Sequence, residues 1–417
     1  MLRIINHRPR SHRQRVSNIP ILGSCIEINT PGANILCDAG VFFPADQEFI
    51  DVLAPKKQWQ AGIDHPALTG EHYYCLLSHG HTDHFAGLFV LDSAVTVDVY
   101  TGELTWRILN HTLTLLNSKL EDNFSRLDIR HTGTLQHTVP INIKGNRIIP
   151  VKVQHNIPDC FAFVIECCGI RLLYAPEFMD KFWFSAEEII ADIDIAVIGY
   201  MPDIDSEYYV KLPDIKNFLK DLERGYLIFF VTPGENIDSI ESCLQHFNGS
   251  IFISPYINNF LSQLPDVLKK EYAFTNKSQI FEQSQALPDS GLIACNFAEL
   301  MSFLNSWGID THKTYIVSND FGLSTFARNI ADENQSSQYI RTIEELQKRG
   351  QFVDAFRSAH GSRKLVRELL HYLLDHRNRI KVMVTHAVDN KSLCDTFGNR
   401  IEIIDKYYIA DNRRACM

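Results

Sequence analysis

Apolar positions in the first half of the chain come in short β-branched and aromatic runs, each ending in polar residues. Ser24 to Asn29, a Pro31-Gly32 turn and Ala33 to Cys37 predict a hairpin that ends at Asp38-Ala39-Gly40. Tyr73 to Leu77 predicts a buried strand running into a polar loop that begins at Ser78, and Val95 to Tyr100 another, followed by a helical stretch from Thr101 to about Leu116. Ile148 to Val153 and Phe161 to Ile165 read as strands flanking a His-Asn-Ile-Pro-Asp loop, and Arg171 to Tyr174 and Ile193 to Tyr200 as further buried strands. From about Asp203 to Gly350 the texture changes. Strand-like runs (Leu227 to Val231, Ile251 to Ile253, Thr314 to Val317) alternate with helical ones (Ile215 to Leu222, Ile237 to Phe247, Phe297 to Trp307), which predicts βαβ units and a parallel sheet. The last part returns to a helix from Ser362 to about Leu374, with Leu365, Val366, Leu369, Leu370 and Leu373 on one face, and to a strand, Ile380 to Thr385, that ends at His386. The class is α/β.

Composition bounds the picture. The chain has 417 residues, 45% of them hydrophobic, more than one core of about 250–300 residues accommodates, so two domains or one domain with a large insertion are expected. At 22% charged residues disorder is excluded, and no apolar run reaches the roughly 18–20 residues that span a bilayer. The N-terminus turns basic (His7 to Arg15) where a signal peptide would be apolar, so the expected location is cytoplasmic, without a membrane partner, and that basic stretch reads as a solvated tail. The net charge of −10 gives no overall attraction to nucleic acid, although polyanions bind to patches rather than averages. The 10 Cys are scattered, several (Cys25, Cys37, Cys75) in apolar runs and none in a CxxC pair, which reads as buried free thiols.

The chemistry concentrates in Ser78-His79-Gly80-His81-Thr82-Asp83-His84. Three imidazoles and a carboxylate in one short loop suit a first-row metal, zinc or, with more oxygen ligands, manganese or iron. In an extended loop His79 and His81 point to one side, whereas Asp83 and His84 begin the turn into a helix and can face a second ion. Further ligands are available at the ends of other apolar strands: His155 after Ile149 to Val153, Glu177 after Leu172 to Tyr174, and His386 after Ile380 to Thr385. Asp38 stands in the same kind of place and could orient a ligand imidazole from behind.

At these residues the sequence resembles a known family. His79 to His84 reads as the HxHxDH signature of the metallo-β-lactamase fold, Asp38-Ala39-Gly40 resembles that fold's first motif, and the loop at His155 to Asp159 resembles the H-x-I-P-D loop of ribonuclease J-like proteins. The implied architecture is an αββα metallo-β-lactamase sandwich carrying an inserted α/β β-CASP-like domain: residues 1–203 the N-terminal part of the sandwich, 204–349 the insertion, 350–417 the C-terminal part. After such an insertion the β-CASP nucleases carry a segment like H-x-S-G-H; here it is Phe356-Arg357-Ser358-Ala359-His360, with Phe356 and Ala359 in place of its first His and its Gly. By that resemblance His360 protonates the leaving oxygen, Ser358 contacts phosphate, and His386 is the last ligand of the second metal. Glu177, in Ala175-Pro176-Glu177, stands where the family has a bridging Asp.

The function so implied is that of a metal-dependent phosphodiesterase, a hydrolase of the ribonuclease type. It would cleave single-stranded nucleic acid, RNA rather than DNA, by attack of a hydroxide bridging two divalent ions, zinc or manganese, with Asp83 holding that nucleophile in line. Arg357, Arg363, Lys364 and Arg367, clustered beside His360, could track the backbone of the substrate. Related nucleases often pair, so a homodimer is the assembly implied. Two other classes compete. A metallo-hydrolase of a small lactone, thioester or cyclic phosphodiester would use the same metal site, because fold and metal do not fix substrate. A binding module that has lost its activity would be expected to have lost ligands first.

Overall fold

The computed structural model describes residues 1–7, 21–22, 24–40, 42–43, 68, 70–85, 87–88, 94–110, 128–155, 157, 159–200, 225–230, 249–255, 258, 262, 278–280, 290–295, 314–318, 345, 348–349, 352–354, 363–385 and 391–410. The chain forms two compact units, one made of Met1–Ser206 with Ser358–Met417 and the other of Glu207–Arg357.

The first unit contains two seven-stranded sheets. Strands β1 (Leu2–Asn6), β3 (Ile26–Asn29), β4 (Asn34–Cys37), β6 (His72–Leu76), β7 (Thr96–Thr101), β8 (Asp128–Thr134) and β22 (Tyr407–Ala410) form one, in the order β22-β1-β3-β4-β6-β7-β8. Strands β9 (Ile141–Ile143), β10 (Asn146–Val153), β11 (Cys160–Cys167), β12 (Ile170–Ala175), β13 (Ile195–Gly199), β20 (Ile380–Thr385) and β21 (Ile401–Ile404) form the other, in the order β21-β20-β13-β12-β11-β10-β9. Two short segments, β2 (Ile21–Leu22) and β5 (Phe42–Phe43), pair separately.

Side-chain alternation explains how the sheets stack. In β11, Phe161, Phe163 and Ile165 enter a core shared with Ile26, Ile28, Ile35 and Leu76 of the first sheet. The small alternate residues Cys160, Ala162 and Val164 face a second core, filled by Phe182, Trp183 and the helix Arg363–His376. A strand covered on both faces must be apolar there, as β13 is throughout and β11 is from Cys160 to Ile165. The helix Arg363–His376 buries Val366, Leu369, Leu370 and Leu373 of the face its periodicity predicts, and Leu374 beside them, while Leu365 is half-buried. Just past its C-terminal end Arg377 Nη1 donates to Asp194 Oδ1 at 2.6 Å, tying it to the start of β13. The result is mixed α/β with large sheets, consistent with the metallo-β-lactamase fold.

The second unit contains β14 (Gly225–Phe230), β15 (Ile251–Ile253), β16 (Ser278–Ile280), β17 (Ser290–Cys295), β18 (Thr314–Ser318) and β19 (Phe352–Asp354). They form a six-stranded sheet, β16-β15-β17-β14-β18-β19, parallel at every pairing. It interrupts the first unit in sequence between β13 and β20, which are themselves parallel neighbours. The helical runs expected at Ile215 to Leu222, Ile237 to Phe247 and Phe297 to Trp307 lie outside the described residues.

Some strands escape the sequence pattern. Leu2–Asn6 precedes the basic stretch yet forms β1, held between β22 and β3. His7, expected to open a solvated tail, lies with Nε2 2.7 Å from Glu27 Oε2, and the rest of that stretch lies outside the described residues. Among the described residues Cys25, Cys37, Cys75, Cys160 and Cys167 are free, buried thiols, and no helix is long and apolar enough to cross a membrane.

Candidate metal centre

The loops at the C-terminal ends of β4, β6, β10 and β12 bring seven of the expected residues together: Asp38, His79, His81, Asp83, His84, His155 and Glu177. Backbone bonds lock the first two loops onto each other. Ala39 N donates to His84 O at 2.7 Å, Gly40 N to Ser24 O at 2.8 Å, and Ser24 N to Asp83 O at 3.2 Å. Gly40 is required for this approach, because a Cβ there would lie 1.8 Å from the Asp83 carbonyl oxygen. Asp38 takes a left-handed backbone, φ 58°, a conformation Asp tolerates better than most residues. The other two loops are tied similarly. Met179 N donates to Gln154 O at 2.8 Å and Gln154 N to Asp180 Oδ1 at 3.1 Å, which fixes His155 against Glu177.

The side chains form two ligand groups that share one carboxylate. In the first are His79, His81, His155 and Glu177, and in the second Asp83, His84 and Glu177. Glu177 Oε2 lies 2.7 Å from His155 Nε2, 3.0 Å from His79 Nε2 and 3.6 Å from His81 Nδ1. Its other oxygen, Oε1, lies 3.4 Å from His84 Nε2. His79 Nε2 and His81 Nδ1 are 2.8 Å apart, and His81 Nδ1 and His155 Nε2 3.2 Å. A tetrahedral ion bound at about 2.0–2.1 Å separates its ligand atoms by about 3.3 Å, so this donor set fits a divalent cation. Nitrogens and a carboxylate oxygen together suit zinc, with manganese compatible.

Electrostatics treats the imidazoles of His79 and His84 differently. Burial, with His84 nearby, holds His79 well below its ordinary range and so neutral. Burial alone would lower His84 too, but the carboxylates of Asp83, Asp38 and Glu177 outweigh it and hold its proton firmly. His84 Nδ1 donates to Asp38 Oδ2 at 2.6 Å, which leaves Nε2 to face Glu177 and Asp83. The Asp83 carboxylate is the most open of the set, 16% exposed against 1% for Glu177.

The remaining expected residues are placed as follows. Arg363 and Lys364 open the helix Arg363–His376, half-buried and exposed respectively. Arg357, Ser358, His360 and His386 lie outside the described residues. Sequence reasoning missed Ser78 and Tyr174, both hydrogen-bonded to Asp38. Ser78 borders the histidine loop and could have been noticed, whereas Tyr174 completes an apolar strand and reads as packing.

Asp159, from the same loop as His155, accepts from Leu104 N at 2.9 Å, and burial pushes its carboxyl up to about 6 from the ordinary 3.8. The folded state therefore binds this proton more tightly than the unfolded chain. Its contribution to stability is full below pH 3.8 and is lost as pH rises through about 6. Asp159→Asn keeps an acceptor for Leu104 and removes the titration. Relative to wild type, the variant should gain about 3 kcal/mol between pH 3.5 and pH 7, at 1.36 kcal/mol per pH unit. Urea unfolding of both proteins across that range checks this; parallel curves would contradict it.

Residues 33–229 match the family model described as the beta-lactamase superfamily domain. No curated protein matches the chain. Among solved structures, a protein of unknown function from Enterococcus faecalis V583 is similar over 99% of both chains, with a TM-score of 0.65 and 14% identity, which shows a shared fold. Zinc-bound PqqB from Methylobacterium extorquens matches with a TM-score of 0.31 and 16% identity, over 47% of this chain and 71% of that one. The human short-form tRNase Z matches at 0.32 and 13%, over 50% and 82%. A diphosphatase of the PhnP family matches at 0.30 and 15%, over 68% and 95%.

Proposed function

We propose that this chain is a two-metal hydrolase that cleaves phosphodiester bonds in single-stranded nucleic acid, RNA rather than DNA. The observation that carries the reading is the shared carboxylate. Glu177 turns one oxygen to three histidines and the other to His84, which is the arrangement a bridging ligand needs. Proteins of the superfamily whose domain model matches residues 33–229 are typically metal-dependent hydrolases.

In this reading His79, His81, His155 and Glu177 hold one divalent ion, and Asp83, His84 and Glu177, joined by His386, hold the other. Bound ions lower the pKa of water and stabilise charge on phosphoryl oxygens. The protein contributes the rest. Neutral His79 offers its lone pair without first losing a proton. Asp83, the open carboxylate, accepts a hydrogen bond from the attacking water and aligns it with the phosphorus. His360 gives a proton to the departing ribose oxygen. Ser358, Arg357, Arg363 and Lys364 hold the phosphates on either side. The compact unit Glu207–Arg357, with its own six-stranded sheet, is read as the β-CASP-like domain. A polymeric substrate is favoured because a small-molecule hydrolase needs neither that insertion nor a proton donor after it.

The test is cleavage of end-labelled single-stranded RNA and DNA by zinc- or manganese-loaded protein, beside His360→Ala. The variant should lose roughly 10²–10⁴-fold in rate with its metal content unchanged. If wild type holds two ions and cuts neither polymer, the nuclease reading fails. A panel of lactones, thioesters and cyclic nucleotides then examines the small-molecule alternative.

A further inference from the structure

Asp38 is fully buried and receives four donors. Its Oδ1 accepts Ser78 N at 2.7 Å, and its Oδ2 accepts Ser78 Oγ at 2.7 Å, His84 Nδ1 at 2.6 Å and Tyr174 Oη at 2.6 Å. One donor meets Oδ1 and three converge on Oδ2, so the carboxylate accepts from every polar group around it. Ser78 has one hydroxyl hydrogen, and Asp38 takes it. The contact of 2.9 Å between Ser78 Oγ and His79 Nδ1 must therefore run from the imidazole N–H to the hydroxyl oxygen. One carboxylate thus sets the tautomer of a histidine in each ligand group, His84 directly and His79 through Ser78. In both rings Nε2 faces Glu177.

Tyr174 belongs to the other sheet. It is fully buried on β12, three residues before Glu177 in the sequence, while Asp38 follows β4 of the first sheet. Because Tyr174 donates to Asp38, its other contact, Ser24 Oγ at 2.7 Å, donates to the phenol oxygen. The tyrosine hydroxyl is thus a strut across the sandwich, from the strand that carries the shared ligand to the carboxylate that orients the histidines.

We infer that Tyr174 is a positioning residue for both metal half-sites at once, acting through Asp38 on His84 and, by way of Ser78, on His79. The inference rests on the two-metal reading above. It implies that loss of one hydroxyl, itself no ligand, weakens both ions, because Asp38 then rotates towards its remaining donors and takes two imidazoles with it. Removing such an orienting partner typically costs 10–100-fold in metal affinity.

The experiment uses the full chain loaded with zinc. Zinc per chain is followed against a series of chelators for wild type, Tyr174→Phe and Ser24→Ala, and visible spectra are recorded after cobalt substitution. Tyr174→Phe should lose roughly 10–100-fold in affinity for both ions and shift the cobalt bands. Ser24→Ala removes the other partner of Tyr174 but leaves its bond to Asp38, so it should hold both ions as wild type does. A merely structural tyrosine would move both variants alike, and that result overturns the inference. So does a Tyr174→Phe protein that keeps both ions at wild-type affinity or loses only one. Should Tyr174→Phe fail to fold, 3-fluorotyrosine placed at position 174 keeps the hydroxyl and makes it a stronger donor. Its cobalt bands should then shift, and unshifted bands count against the inference. If wild type holds no zinc, the two-metal reading itself fails; if wild type holds two ions and Tyr174→Phe binds them equally, only the role of Tyr174 fails.

Discussion

On the proposed two-metal reading, Glu177→Gln should leave the protein with one bound ion at most and lower its hydrolytic rate by about 10³-fold or more. The carboxylate turns one oxygen to each ligand group: Oε2 to His79, His81 and His155, and Oε1 to His84. An amide keeps one carbonyl oxygen and turns its NH₂ towards the other group, where it offers hydrogens in place of a lone pair. Lewis-acid stabilisation is worth several kcal/mol of transition-state charge, and each 1.36 kcal/mol is tenfold in rate. Elemental analysis after gel filtration, together with initial rates, checks both halves of the expectation. Two retained ions with an undiminished rate would remove Glu177 from the shared position. Glu177→Asp should retain both ions, since the shorter carboxylate is what the resembling family carries there.

The second large effect is expected at Gly199, which touches no ligand. A Cβ at this position would sit 1.5 Å from the carbonyl oxygen of Pro176, the residue before Glu177. The obstacle is backbone, not a flexible side chain, and Gly199 is itself held in β13 opposite Thr385. Either the end of β13 or the Ala175-Pro176-Glu177 turn must move. Overpacking costs about 1–3 kcal/mol and occasionally more; with a backbone collision this deep, Gly199→Ala should lose at least about 3 kcal/mol of stability. The fraction that folds should also bind metal weakly, because Glu177 is displaced. Denaturant titration of the metal-free protein measures the first and zinc competition the second. Wild-type values in both would show that the strand yields without disturbing the turn.

The contrast between these two residues explains what the sequence discloses. Glu177 is suspect because a lone acid ends an apolar strand, and the histidine loop is conspicuous because its ligands are contiguous. Gly199 carries no chemical signature; its need arises from a turn brought close only by the pairing of β12 with β13. Tyr174 is hidden for a related reason, since in Ile170–Ala175 a tyrosine fits the pattern of a buried strand. Periodicity finds strands rich in aromatic or β-branched residues, such as β14 and β18, but passes over β17, whose Ser-Gly-Leu-Ile-Ala-Cys is small and weakly patterned although it lies between β15 and β14. Strand order is set by long-range packing, which local pattern does not encode.

Strand β1 pairs with β22 in a register that joins Leu2 to Ala410, and β13 with β20 in one that joins Ile195 to Lys381. Both sheets of the first unit are therefore completed only after the second unit has been synthesised. At about 5–20 residues per second a ribosome needs roughly 20–80 s to travel from the first of these strands to the last. Throughout that interval β1 lacks β22 along one edge, and from its own synthesis until that of β20 the strand β13 likewise lacks a neighbour. The second unit, contained in one uninterrupted stretch, can collapse on its own while the first waits. Synthesis of β20 and β22, and not emergence of the histidine loop, is then the moment at which the candidate metal centre acquires its complete scaffold.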